Sequence, residues 1–390
     1  MTRTRILAAA SAAALVLAAC GSDDDTTDDA ASDTESASAS ASASDSASAS
    51  EPAMDEDVME DDAMDEEAMD DDAMDDDAMD EEAMDEEAME EMPDDWPESI
   101  VFTLTPSQEA GGLIETAQPL ADLLAAELGV EVEALVPTDY AGVIVALQSG
   151  QAQVAGGLGP RQMVQAEEQA GAELLLQAER FGSLLYVTQW FTNDPDTYCD
   201  DEPVADEDGL LFCNGVLDAA DASAGPIGAD KLPLLEGQTV SFVDQGSTSG
   251  YAIPALQLAE AGVDPIDGID GLFAGGHDSS IQAVYDGDAV VGVSFNDARG
   301  GLLEQVPDVG EQVVVFGWSG PIPNDGFAVA GDLPDSFVEA LKDAFVAVQE
   351  DEAGAALLAE LYEIDALVPV TSADYDVIRD LEVALGDILE

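Results

Sequence analysis

The amino-acid sequence predicts an α/β architecture of two lobes with a cleft between them, preceded by a disordered acidic linker. Three observations carry this reading. From residue 97 onward, apolar runs of strand length alternate with longer runs of helical period, as in α/β domains with parallel or mixed sheets. An acidic stretch between two cysteines interrupts the alternation, which then resumes, so the pattern gives two units. The patterned part is 294 residues long, enough to bury a large core and to divide in two.

Taken in order, SIVFTLTP (99–106) reads as a buried strand. SQEAGGLIETAQPLADLLAAELG reads as a helix stopped by glycine, with Pro119 a place for a kink. VEVEALVP alternates as a strand does, YAGVIVALQSG is helical, AQVAGGL is a short strand and RQMVQAEEQAG a helix. AELLLQAER and LLYVTQWFT are strand candidates. After the cysteine stretch come a strand, QTVSFVDQ, and a helix, SGYAIPALQLAEAG. SSIQAVYDG is helical, and AVVGVSF and EQVVVFGWS are strands. The last 60 residues hold two long helical runs, DSFVEALKDAFVAVQ and ADYDVIRDLEVALGDIL. Lobe 1 is expected at about 97–188 with a C-terminal return at about 325–390, and lobe 2 at about 189–324.

Two segments precede this body. Residues 1–20 pair a basic start, Arg3 and Arg5, with an apolar run ending in LAAC, the layout of an export signal. The run is too short for a confident membrane span. LAAC followed by Gly21 resembles a bacterial lipobox; by that resemblance cleavage leaves Cys20 as a lipidated N-terminus at a membrane surface outside the cytoplasm. In an ordinary signal peptide Cys20 would be incidental. Residues 21–96 contain 34 Asp or Glu and no Lys or Arg, with a Met every five residues from Met54 to Met89. Such a segment buries too little apolar surface to offset its ordering entropy, and a five-residue period follows no helix face. Thioethers with carboxylates could ligate metal, but a charge run of this kind reads as a solvated tether.

Residues 97–390 carry 53 acidic residues against six basic ones, Arg161, Arg180, Lys231, Arg299, Lys342 and Arg379. That balance argues against a nucleic-acid partner. Cys199 and Cys213 flank an acidic stretch and, outside the cytoplasm, are expected to form a disulfide. Two cysteines and one histidine are too few for a typical zinc site, so no metal or other cofactor is expected.

Against this charge, the chain places a small hydroxyl-rich turn, GSTSG (246–250), between a strand and a helix. A helix N-terminus presents free N–H groups and the positive end of its dipole, so it can hold an anion without a full positive charge. Read alone, Ser247, Thr248 and Ser249 could equally form an ordinary N-cap. His277, the single histidine, follows two glycines in GGHDSS at the start of another helix. Asp297 follows a strand in SFNDARG, and Asp325 lies in the Pro/Gly turn SGPIPNDGFAV; both residues are also ordinary turn formers. Tyr140 opens a helix, and Tyr186 sits on a strand. No nucleophile paired with a base is visible, so an enzyme is not expected.

Together the pieces TDYAGVIVALQSGQAQVAGGLGP, LLYVT, VSFVDQGSTSGYAIPALQLAEAGVDP, AGGHDSSIQAVYDGDAVVGVS, SGPIPNDGFAV and TSADYDVIRDL resemble the solute-binding proteins of ABC importers for phosphonate, phosphite and phosphate. The resemblance implies the type II periplasmic-binding-protein fold. It implies an anionic head group bound by Ser247, Thr248 and Ser249, with His277 donating from the other side. Tyr140 and Tyr186 would line the cleft, and Asp297 and Asp325 would accept from the ligand's hydroxyl or amine. It further implies a monomer that delivers its solute to a membrane permease. Met163 stands where the family often has an aromatic residue, and the segment holding Cys199 and Cys213 is an insertion. A receptor of the same fold for another solute, such as a vitamin precursor, taurine or an amine, is the alternative.

Overall fold

The structure, a computed structural model, describes residues 93–108, 110–219 and 225–389. The expected signal, Cys20 and the linker up to residue 92 lie outside the described residues. Pro93–Trp96, expected in the linker, instead joins the body. The Trp96 ring meets Phe337 edge-on at 5.2 Å, and its Nε1 donates to Ser336 Oγ at 3.0 Å.

The chain enters through β1 (Ser99–Leu104), α1 (Ala110–Leu128), β2 (Glu131–Leu135), α2 (Tyr140–Gln148), β3 (Val154–Leu158), α3 (Pro160–Ala170) and β4 (Glu173–Glu179). Pro119 lies inside α1, which continues past it. Ile100, Phe102 and Leu104 of β1 share one core, as the two-residue period of a strand requires. A short β5 (Leu185–Tyr186) leads to β6 (Thr188–Thr192), α4 (Pro195–Tyr198), β7 (Val204–Ala205), β8 (Leu211–Phe212), β9 (Thr239–Phe242), α5 (Ile253–Glu260), β10 (Asp270–Phe273), α6 (His277–Tyr285), β11 (Val291–Phe295), α7 (Val309–Gln312) and β12 (Val314–Trp318). The chain then returns through β13 (Ile322–Pro323), β14 (Gly326–Val329), α8 (Asp335–Glu350), α9 (Glu352–Tyr362), β15 (Ala366–Pro369) and α10 (Asp376–Leu389).

Two sheets form two lobes of one compact unit. The first has the order β15-β4-β14-β3-β1-β2, parallel among β2, β1 and β3 and antiparallel where β14 and β15 join. The second has the order β10-β9-β11-β6-β12-β8-β7, with β6 antiparallel to both β11 and β12. Trp190 and Phe191 on β6 face opposite sides of this sheet and enter different core clusters. Where the chain crosses between lobes, β5 and β13 pair antiparallel, Tyr186 opposite Ile322. These two crossings are thus tied side by side. Helix α10 packs against α3 of one lobe and α5 of the other, and its Ile378, Leu381 and Leu385 join a core that includes Leu258 and Val164.

The structure adds elements the periodicity did not separate. The acidic stretch between the cysteines is a β7–β8 hairpin at the edge of the second sheet, closed by the disulfide Cys199–Cys213. Asp206 turns the hairpin by accepting from Asp208 N and Leu210 N. The second addition is α9. The side chain of Asp351 accepts from Ala353 N and Gly354 N at 2.9 and 3.0 Å, an N-cap that starts a new helix directly behind α8.

Candidate functional site

The turn after β9 is built by a proline. Pro254 has no N–H, so Gly250 O, four residues back, cannot receive its helical bond. The opening of the helix widens: Ala252 N and Ile253 N donate to the carbonyls of Ser247 and Thr248, five residues back. The carbonyls left free tie the turn to its sheet, with Gly250 O accepting from Val243 N at 3.0 Å and Ser249 O from Thr188 Oγ1 at 3.1 Å. Ser247 Oγ accepts from Gly250 N at 3.0 Å. The N–H groups of Thr248 and Ser249 have no acceptor among the described residues. Gly250 must be glycine, because a Cβ there would stand 2.8 Å from Ser247 Oγ and run into Val243.

Across the cleft, Gln162 organises the first lobe's edge. Its Oε1 accepts from Thr105 Oγ1 and Gly159 N, both at 3.1 Å, and its Nε2 donates to Tyr140 O at 3.1 Å. Backbone N–H groups donate across the lobes. Arg161 N donates to Thr248 Oγ1 at 2.9 Å, and His277 N donates to Ser107 O at 2.9 Å. The Arg161 side chain adds contacts to Gln245 O and to Glu382 on α10.

These elements enclose a cavity of about 20 Å³ lined by Tyr140, Tyr186, Ser247, Thr248, Ser249, His277 and Asp325, together with Ser107, Gln108, Gly157, Gly159, Arg180, Phe295 and Tyr362. A space of that size holds the centres of roughly one or two waters. His277 is 5% exposed, its Nδ1 is 2.9 Å from Ser294 Oγ, and its ring meets Phe295 at 4.7 Å. Burial, with the charge of Arg180 second, lowers its pKa to about 3, so the imidazole is neutral at neutral pH. Arg180 Nη2 donates to Asp325 Oδ2 at 2.7 Å. Burial raises the Asp325 carboxyl above the usual carboxylate range, and Arg180 opposes this only in part. Tyr140 and Tyr186 are held well above the usual phenol range by burial first and by Asp325 second, so both hydroxyls keep their protons. Each of them also interacts with the hydroxyls of the turn, Tyr140 with Ser247 and Tyr186 with Ser249 and Thr248.

Seven of the eight ligand-binding candidates thus line one cavity. Asp297 does not. Its Oδ1 accepts from Arg299 Nη2 at 3.1 Å, and Arg299 is itself fixed by the carbonyls of Leu211 and Val313. That anchoring turns Asp297 toward a separate cavity of about 450 Å³ that includes Phe212 and Trp318. Met163 is fully buried against Gly326 and is not among the lining residues. Sequence reasoning missed Arg180 and Tyr362. Arg180 had a signal, being one of six cations in so acidic a body. Tyr362 ends α9, the helix not separated from the sequence, and its hydroxyl donates to Thr105 O at 2.8 Å. Gly157, at φ +63°, makes room for it; a Cβ there would lie 2.7 Å from the Tyr362 hydroxyl. Among the described residues no group of three or more His, Cys, Asp or Glu is placed to hold a metal ion, and no helix is long and apolar enough to cross a membrane.

The cavity can therefore offer an anion free backbone N–H groups, protonated hydroxyls, a neutral imidazole and one guanidinium. Residues 102–375 match the family described as ABC transporter, phosphonate, periplasmic substrate-binding protein. The chain is 29% identical over 305 residues to the phosphate-import protein PhnD of Mycolicibacterium smegmatis, covering 73% of this chain and 85% of that one. Its fold is similar to the binding-protein component of an ABC phosphonate transporter from Pseudomonas aeruginosa, at a TM-score of 0.60 and 20% identity, covering 73% and 85% of the two chains. It is similar also to PhnD1 from Prochlorococcus marinus, solved with methylphosphonate, at a TM-score of 0.61 and 18% identity, covering 75% and 100%. The chain therefore belongs to the periplasmic substrate-binding proteins of ABC phosphonate transporters, with their two-lobed α/β fold.

Proposed function

We propose that the protein is an extracytoplasmic receptor that captures a phosphorus oxyanion in the cavity at the Ser247–Ser249 turn and delivers it to an ABC permease. The observation that carries this reading is the meeting of a widened helix N-terminus, a second helix N-terminus at His277 and a single arginine in one small cavity. Thr248 N and Ser249 N donate to the anion, and the hydroxyls of the turn and of Tyr140 and Tyr186 add neutral donors. With Ser294 O–H donating to His277 Nδ1, 2.9 Å away, the proton would stand on Nε2 for the ligand. Hydrogen bonds to a buried charged group contribute roughly 1.5–3 kcal/mol each, so a few such donors offset the cost of desolvating the anion. The Arg161–Thr248 and His277–Ser107 bonds between lobes support capture by lobe closure, with the paired β5–β13 crossings as the hinge. Lipid attachment at Cys20 and an acidic tether over 21–92 would hold this monomeric receptor at the membrane beside its permease.

Calorimetric titration of ligand-stripped protein with phosphate, phosphite, methylphosphonate and 2-aminoethylphosphonate, with sulfate as control, tests the reading. Micromolar or tighter binding to a phosphorus oxyanion, and none to sulfate, is expected. Ser247→Ala with Thr248→Ala should weaken that binding at least 100-fold while circular dichroism stays native. Silence across the panel, or an unchanged affinity in the double variant, would refute the assignment.

A further inference from the structure

The six cations of the folded body are distributed unevenly. Lys231 pairs with Asp200, Arg299 with Asp297, Lys342 with Glu173, and Arg379 with Glu167. Arg161 faces Glu382 and Gln245 O outside the cavity. Arg180 alone of the six lines the cavity, and its side chain is 8% exposed. One of its five N–H groups reaches Asp325, and its Nε is buried with no acceptor among the described residues. The Phe295 ring lies 5.7 Å from its guanidinium carbon and fills the space on that side.

This arrangement changes what Asp325 can recognise. A free carboxylate in the cavity would welcome a ligand ammonium and repel a dianion. Here the guanidinium already occupies the position an ammonium would take, and a second cation beside it would be repelled strongly at low dielectric. The carboxylate's charge is offset, so it contributes little repulsion to an incoming dianion. One Asp325 oxygen remains to accept a P–OH proton, and Arg180 Nε remains to donate. The cavity is small, about 20 Å³, so a compact tetrahedral group needs less side-chain adjustment than one carrying a tail.

We infer that Arg180 is a specificity-determining residue, a built-in counter-cation that restricts the site to compact phosphorus oxyanions of phosphate size and excludes aminoalkylphosphonates. The inference rests on the proposed phosphorus-oxyanion reading and narrows it. It is tested by titrating the full chain, unfolded and refolded to remove carried-over ligand, with phosphate, methylphosphonate and 2-aminoethylphosphonate. Wild-type protein should bind phosphate or methylphosphonate at least 100-fold more tightly than 2-aminoethylphosphonate. Arg180→Met should lose at least 100-fold for phosphate and gain at least tenfold for 2-aminoethylphosphonate, because the freed carboxylate then takes the ammonium. Should Arg180→Met fail to fold, Arg180→Met with Asp325→Asn removes both charges together. That variant should lose phosphate and gain nothing for the amine. Wild-type affinities within tenfold of each other, or full phosphate affinity in either variant, would overturn the role of Arg180 and leave the receptor reading standing. No binding to any phosphorus oxyanion by wild-type protein would instead bring down the receptor reading, and the role of Arg180 with it.

Discussion

His277 is neutral at neutral pH because its surroundings disfavour the charged ring. Its ring is enclosed by Phe295 and Ser294 and sits near Arg180, and both burial and that positive charge disfavour protonation. The pH consequence follows from linkage. The unfolded histidine takes a proton near pH 6.5, whereas the folded one does so only near pH 3. Between these values the unfolded state binds more protons, so stability is full above the unfolded pKa and falls as pH drops toward about 3. The limiting slope is about 1.4 kcal/mol per pH unit. Thermal unfolding of ligand-free wild type and His277→Gln from pH 7 to pH 4.5 should show the variant losing less stability than wild type over that range. Parallel curves would mean the imidazole titrates normally.

At the level of elements, the site depends on how helix beginnings are joined to strand ends. Pro254 widens the start of the α5 run, and the carbonyls it frees are taken up by β6 and the end of β9. The result is a turn whose first two N–H groups have no acceptor among the described residues. Gly250 is the contact point of this packing. Gly250→Ala should cost about 1–3 kcal/mol by overpacking against Val243 and Ser247, read as a lower denaturant midpoint, and should weaken ligand binding as the turn shifts. A variant with wild-type stability and affinity would mean that the turn is not held tightly against β9.

For the whole molecule, acidity and anion binding are reconciled by separation. The body carries 53 acidic residues against six basic ones, but its cavity is furnished with dipoles, neutral donors and one arginine that pairs the carboxylate of Asp325. The surface charge repels itself, which disfavours the compact state at low ionic strength. Raising sodium chloride from about 0.01 M to about 1 M shortens the screening length from roughly 30 to 3 Å and should raise the melting temperature of the ligand-free protein. A melting temperature that falls with salt would show that exposed ion pairs such as Lys342–Glu173 outweigh surface repulsion.

Much was readable from local pattern alone. Strand and helix alternation, the break at the cysteines and the turn GSTSG ahead of an apolar helix are properties of neighbouring residues, set by side-chain period, proline and glycine. The same locality explains the failures. The α8–α9 boundary depends on a single capping carboxylate, Asp351, within a continuous helical run, and with α9 went Tyr362. Asp297 and Asp325 look alike as turn-forming carboxylates in the sequence. Tertiary packing separated them, since each found an arginine and the two arginines stand in different places, Arg180 inside the cavity and Arg299 under the β7–β8 edge. Which charges meet is decided by side chains 145 residues apart, as Arg180 and Asp325 are, and no local pattern encodes a distance of that kind.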